Sequence, residues 1–163
     1  MSTLPTAAEL VARLAARGVT LPPGPVRVDG YGDSAALSAE LLDLIRAGPK
    51  RAGTSLLWAL EADGEPLPRV GDIEIVVDHD LQPALVTRIT RVQVLAFDAV
   101  DADYAATEGE GDGSLDHWRR AHWAFFGREC RRLGREPTAS MPVVCSVFEL
   151  LQVLPPAAAA AAP

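Results

Sequence analysis

Apolar positions recur at helical spacing in three places along the chain and alternate with polar ones in three others. Thr6 and Glu9 have the spacing of a capping box, Leu10, Val11 and Leu14 follow at helical intervals, and Gly18 supplies a stop, which predicts a helix from about Thr6 to Arg17. Pro22, Pro23 and Pro25 break that pattern in a linker, after which Val26 and Val28 read as a brief strand running into a turn at Gly30, Tyr31 and Gly32. A second helix starts at Asp33 or Ser34, carries Leu37, Leu41, Leu44 and Ile45 on one face and ends at Gly48. Thr54 to Leu60 fits a strand or a helical turn equally well. From Asp72 the period becomes two: Asp72 to Val77 and Ala84 to Leu95 flank a turn at Asp78, His79 and Asp80 and read as a β-hairpin with a long return strand. Phe97 to Thr107 reads as a short helix. Ser114 then caps the longest one, which runs to about Leu133 and brings Leu115, Trp118, His122, Phe125 and Phe126 to a wide apolar face. Met141 to Leu154 is a closing strand whose unbroken apolar run predicts burial on both faces.

Composition narrows the class. With 163 residues, 48% of them hydrophobic, the chain is long enough for one domain with a real core and short for two. A formal charge of -7 argues against charge-driven binding to nucleic acid unless a local basic patch supplies it. Cys130 and Cys145 lack metal or redox spacing, and no secretory pattern precedes them, so the expectation is a reduced cytoplasmic protein. No apolar run reaches the length of a membrane span, so no membrane partner is expected.

Four arrangements carry candidate chemistry. Lys50 is the single lysine beside fourteen arginines, and it lies just past a helix end with Arg51, Thr54 and Ser55 close by. A strand or a turn of helix would bring Lys50 and Thr54 together, so an ammonium and a hydroxyl can meet on one substrate oxygen. Glu108, Glu110 and Asp112 alternate with glycines in an acidic loop that offers oxygen ligands or a catalytic carboxylate, although the spacing is not that of an EF-hand. His117 and His122 diverge by about 140° on a helix, which is wrong for joint metal ligation and leaves His122 as a core or pocket-wall residue. Arg128, Arg131, Arg132 and Arg135 gather near a helix end, where they complement its dipole or form a phosphate-binding edge.

Together these segments resemble the ASCH domain family. The likeness runs through Tyr31 to Ser34, Gly48 and Lys50, Ser55 to Trp58, Glu65 to Pro68 and Val70 to Asp72. It continues through Phe97 and Asp98, Glu108 to Asp112, Ser114 and Leu115, Trp118 and Arg119, His122 and Trp123, Phe125 and Phe126, and Met141 to Cys145, ending at Phe148 and Glu149. The resemblance implies an α+β fold, a PUA-like twisted β-barrel flanked by helices, and an association with RNA. Small bacterial relatives that hydrolyse acetylcytidine use a lysine, a threonine and a glutamate, which by resemblance fall on Lys50 and Glu108. The threonine position of the family's Gly-x-Lys-x-x-Thr pattern holds Gly53, with Thr54 one residue later. Other relatives are metal-dependent ribonucleases.

The combined reading places an N-terminal helix and linker at 1–28, an ASCH domain at 29–154 and a disordered alanine and proline tail at 155–163. The expected function is recognition of RNA or a modified nucleoside in a barrel cleft, with its hydrolysis left open, ribonuclease-like or acetylcytidine amidohydrolase-like, and Lys50, Thr54 and Glu108 as the candidate catalytic residues. Arg51, Ser55, Arg88, Trp118 and His122 are the candidate substrate-binding residues, Trp118 by stacking on a base. No metal ligand is assigned and no cofactor is required, manganese or magnesium being the option that the ribonuclease relatives imply. The rival readings are a non-catalytic RNA-binding module and a small-metabolite or protein-interaction domain, and the oligomeric state is left open.

Overall fold

Thr6 caps the first helix as its spacing requires: its hydroxyl accepts the Glu9 N–H, and the Glu9 carboxylate accepts the Thr6 N–H at 2.7 Å. Helix α1 (Ala7–Ala16) so begins where its apolar stripe does, and Leu10 and Leu14, both fully buried, pack on Ile73, Ile75, Val77 and Val86. Each such leucine contributes about 1.5–3 kcal/mol by leaving water. The structure is a computed structural model that describes residues 4–157; the expected disordered tail lies, from 158 onward, outside the described residues.

Strand β1 (Val26–Gly30) leads to α2 (Ala35–Ala47), which Ser34 caps and the left-handed Gly48 ends. The stretch that the sequence leaves between strand and helix is both in succession, β2 (Ala52–Leu56) passing into α3 (Leu57–Asp63) with no loop between. Strands β3 (Ile73–Val77) and β4 (Pro83–Ala96) form the expected hairpin. The expected helix over 97–107 is instead a 3₁₀ turn, Phe97–Ala99, followed by α4 (Ala102–Glu108), because Asp101 caps a new helix by accepting the Tyr104 N–H. Helix α5 (Leu115–Arg132) and strand β5 (Pro142–Val153) complete the chain.

The strands form one sheet in the order β1-β3-β4-β5-β2, with β1 parallel to β3 and the other pairs antiparallel. The sheet curls into a half-barrel with five helices around it, an α+β fold. Strand β3 is buried at every position because both its faces are covered. Ile73, Ile75 and Val77 face α1, while Glu74 and Val76 point the other way, Val76 into the cluster under α2. Strand β5 meets the expectation of two buried faces only over its first half; Glu149 and Val153 are exposed. The arginines at and just beyond the end of α5 tie elements together: Arg128 pairs with Asp33, Arg132 holds Asp63 through two hydrogen bonds, and Arg135, past the helix, lies over the Trp58 ring.

One close approach positions the site. The Arg51 N–H donates to the Thr107 carbonyl at 2.9 Å, so the segment entering β2 lies against the end of α4. Gly109 makes this possible, since its φ is +66° and a Cβ there would sit 2.3 Å from the Pro49 oxygen. Gly109→Ala is therefore expected to cost at least about 2 kcal/mol, from left-handed strain plus a collision with backbone that cannot retract. Urea unfolding of the wild type and the variant measures it.

Candidate functional site

Three structural elements deliver a buried charge cluster. Lys50, placed between Gly48 and β2, is fully buried, and its Nζ donates to the Ala52 carbonyl and to Glu110 Oε1, both at 2.7 Å. Glu108, the last residue of α4 and 2% exposed, brings Oε1 to 3.6 Å from the same Nζ. From α5 come His122, whose Nε2 is 3.2 Å from Glu108 Oε1, and Trp118, whose indole N–H donates to Glu108 Oε2. The Thr54 hydroxyl of β2 donates to that oxygen at 2.9 Å and lies 3.0 Å from the Tyr104 hydroxyl, which also reaches the Gly53 carbonyl at 2.8 Å.

Hydrogen-bond direction fixes the charges. His122 Nδ1 is 2.9 Å from the Trp118 carbonyl, which can only accept, and Nε2 faces a carboxylate, so both ring nitrogens carry protons and His122 is an imidazolium. Burial disfavours that cation, but the charge and hydrogen bond of Glu108 outweigh it and raise the His122 pKa. Burial likewise disfavours the Glu108 anion, yet the Lys50 charge, then His122, then the Trp118 hydrogen bond hold its pKa down at about 2. Lys50, His122, Glu108 and Glu110 thus compensate one another.

The cluster closes one end of a cleft of about 570 Å³, a volume suited to a small molecule. Nine carboxyl-bearing residues line it, among them Asp29, Glu74, Glu108 and Glu110, against two arginines, Arg27 and Arg128.

The residues singled out by sequence separate here. Lys50, Thr54, Glu108 and His122 come together, and Ser55 lines the cleft. Arg51 instead donates to the Ile45 and Lys50 carbonyls and serves the backbone around Lys50. Arg88 is outside the cleft lining and pairs with Glu149 at 3.2 Å, because it sits on the exposed part of the β4 and β5 ladder. Trp118 offers no free face for a base: it is 2% exposed and stacks on His122 at 4.3 Å. Asp112 accepts the Ser114 N–H at the start of α5. The His117 and His122 side chains both reach the cleft, and His122 with Glu108 and Glu110 presents three ligand atoms within 4.8 Å of one another. A divalent ion there would have to displace the Lys50 ammonium from Glu110 and take the proton from His122 Nε2.

Sequence reasoning did not assign Tyr31 or Tyr104 to the site, and it named Glu110 only as one of three acidic-loop residues that offer oxygen ligands or a catalytic carboxylate. The Tyr31 ring lies 5.0 Å from Lys50 Nζ and fills the space a side chain at position 53 would need, since a Cβ on Gly53 would come 2.9 Å from Tyr31 Cε1. The signal was the pairing of Tyr31 with a glycine at 53, which only the fold reveals.

A family model for the ASCH domain matches residues 28–152. The chain belongs to the ASCH domain family. ASCH domains are generally thought to bind RNA. The chain is similar in structure to an ASCH domain from Lactobacillus crispatus JV V101, with 32% identity, a TM-score of 0.76, and 88% of this chain and 92% of that one covered. It is also similar to protein EF3133 from Enterococcus faecalis V583, with 26% identity, a TM-score of 0.74 and coverage of 90% and 88%. Hypothetical protein PH0355, at 18% identity and a TM-score of 0.52 over 77% of this chain and 99% of its own, shares the fold. No curated protein matches the chain. Among the described residues of this ASCH domain no helix is long and apolar enough to cross a membrane.

Glu108 is the test of how far the cluster holds the domain together. Its folded pKa lies below the ordinary value of 4.5, so its stabilisation is present above about pH 4.5 and is lost as pH falls toward 2. Glu108→Gln is expected to lose about 3–5 kcal/mol at pH 7, because it leaves buried cations uncompensated. That deficit should shrink steadily between pH 5 and pH 2, as read from urea unfolding at a series of pH values.

Proposed function

We propose that this ASCH domain takes an uncharged ligand of nucleoside size into the cleft and hydrolyses an amide bond on it. The observation that carries the reading is the meeting of the Lys50 ammonium, the Thr54 hydroxyl, Glu108 and Glu110 at one end of a cleft whose charged lining is mostly carboxyl groups. An acidic wall repels a phosphate backbone and admits a neutral nucleoside, so recognition at the level of the nucleoside fits better than docking of an RNA strand.

The roles follow from accessibility. Glu108 has donors on both oxygens and is a strongly held anion, so it orients Thr54, Trp118 and His122 and is a poor proton acceptor. Glu110, 20% exposed on the loop after Gly109, is the carboxylate that can move. It takes a proton from water as the water oxygen bonds to the amide carbon. Its departure from Lys50 leaves Nζ free to meet the charge that develops on the carbonyl oxygen, and the Thr54 hydroxyl becomes the second donor by turning its proton from Glu108 Oε2 to that oxygen. The carbon–nitrogen bond then breaks and the proton held by Glu110 passes to the leaving amine, giving a carboxylic acid and a free amine. Charge neutrality around Lys50 and His122 supports a reaction that needs no metal.

Turnover of N4-acetylcytidine, followed chromatographically with EDTA and with manganese, tests the proposal. Wild type should release acetate equally in both conditions. Thr54→Val should lose about 10²–10³-fold in kcat with little change in KM, and Glu110→Gln about 10²–10⁴-fold. Binding of nucleosides without turnover would favour the non-catalytic reading, and an affinity for short RNA that falls steeply with salt would favour backbone recognition.

A further inference from the structure

The far wall of the cleft carries polar chemistry that the hydrolytic cluster does not use. Along β1, Arg27 and Asp29 are two residues apart and share a face. Arg27 is in register with Glu74 on β3, and Glu74 with Thr87 on β4, so all four side chains stand on the same side of the sheet. Glu74 is 3% exposed and still lines the cleft. The fully buried Thr87 hydroxyl donates to Glu74 Oε2 at 3.0 Å, and among the described residues no group bonds Glu74 Oε1. Arg27 forms no ion pair with Glu74, although its charge opposes the rise in the Glu74 pKa: its Nη1 donates to the Pro66 carbonyl at 3.0 Å and lies 3.8 Å from Asp72 Oδ2. Asp29 Oδ1 accepts the Gly30 N–H at 2.8 Å, and Asp29 also lines the cleft. A buried carboxyl with one oxygen fixed and the other open to a cavity is costly unless a ligand meets it.

We propose that Glu74 and Asp29 form the base-reading end of the cleft, Glu74 Oε1 donating a hydrogen bond to a ring nitrogen and Asp29 accepting one from the adjoining exocyclic N–H, so that the preferred ligand carries an aminopyrimidine edge. This assignment rests on the reading of the cleft as a nucleoside site and names the class of base. Cytosine and adenine present such an edge. Uracil presents the reverse order, an N–H where Glu74 offers its proton and a carbonyl where Asp29 offers a carboxylate. With the ligand's direction fixed by the rest of the cleft, both contacts become repulsive.

The protonation that this pattern needs is the one the wall imposes. Burial, then the nearby Asp29 charge, push the Glu74 pKa up to about 8, so the group is an acid with a proton to donate at neutral pH. Because Oε2 already accepts from Thr87, that proton belongs on Oε1, toward the cavity. Burial raises Asp29 less, to about 6, so it remains the acceptor of the pair. Tyr31 joins the two ends of the cleft: its hydroxyl is raised by burial and then by the charges of Glu74, Asp29 and Glu108. A ligand lying across Tyr31 meets both ends.

Calorimetric titration at pH 7 with cytidine and uridine, neither of which has an amide to lose at the exocyclic position, reads recognition apart from turnover. Wild type should bind cytidine at least about tenfold more tightly than uridine. Glu74→Leu, an apolar replacement of similar reach in a buried strand, should bring the two within about twofold of one another. Glu74→Gln should keep the preference, because its amide can accept from Thr87 and turn its N–H toward the cleft. A cytidine preference that survives in Glu74→Leu, or its absence in the wild type, would overturn the assignment. If acylated nucleosides are hydrolysed while the preference is missing, only this assignment falls; if the wild type binds neither nucleoside and hydrolyses none, the nucleoside reading falls with it. Should Glu74→Leu not fold, Thr87→Val, which removes the hydroxyl that orients Glu74, is expected to weaken the preference, and an unchanged preference there overturns the assignment equally.

Discussion

A lysine with no contact with water must be matched in charge, and much of this ASCH domain is arranged to match it. Lys50 Nζ is met by the Ala52 carbonyl, Glu110 and Glu108. Each partner arrives on a different element, so the requirement of compensation draws β2, α4 and the loop after Gly109 to one point, and Glu108 brings α5 to it through Trp118 and His122. The aromatic packing beneath α5 follows from this. Trp118 and His122 are one turn apart on α5, which lets both donate to Glu108 while their rings stack and rest on Phe97 and Phe126. The core on this side of the sheet is therefore joined to a saturated polar network and cannot shift without exposing a charge.

The same saturation divides labour among the carboxylates. Glu108 is at once the most paired and the least available of them, whereas Glu110 has one partner and partial access to solvent. A family pattern can identify the carboxylate on which a site is built without identifying the one that moves a proton. Beyond them, Asp33, Asp63 and Glu129 are paired with arginines, whereas Glu40, Glu65, Glu74 and Asp29 form no ion pair among the described residues and keep that part of the cleft acidic. Arg128 is committed to Asp33, and Arg27, although it lines the cleft, turns Nη1 to the Pro66 carbonyl and toward Asp72. Association with RNA at the level of the family and selection of a neutral nucleoside by this chain are compatible, since fold and site chemistry are separable.

Local grammar was largely legible from the sequence, as the caps at Thr6, Ser34 and Ser114 and the stop at Gly48 show. These signals lie within four residues of what they specify. The passage from β2 straight into α3 was not legible, because a short apolar run carries no period that separates strand from helix. The convergence of Lys50 and Glu108 was reachable through the family likeness, the two being 58 positions apart in the chain and joined by the packing of the α4 end against the segment entering β2, which no local pattern reveals. Trp118 misled for a related reason: an aromatic near the site reads as a stacking platform until its indole N–H is seen to be spent on Glu108. Arg88 misled because strand alternation gives a face and not which face holds the cavity.

Position 53 shows how the departure from the family pattern is accommodated. A threonine there would drive its Cβ to within 2.9 Å of the Tyr31 ring, so glycine at 53 and the present seat of Tyr31 require one another. Successive side chains on a strand point to opposite faces, and the hydroxyl moved to Thr54 would on a flat strand leave the site altogether. It remains because β2 is the edge strand of a curled sheet, pressed against α4, where Tyr104 and Glu108 lie on the side that Thr54 faces. The Thr54 hydroxyl thus reaches Glu108 although it stands one residue after the threonine position of the family pattern that the sequence resembles. Tyr31 takes up the vacated volume between the Lys50 end of the cleft and the Glu74 wall. Glycine at 53 and threonine at 54 together leave a hydroxyl at the polar end of the site and the Tyr31 ring beside it.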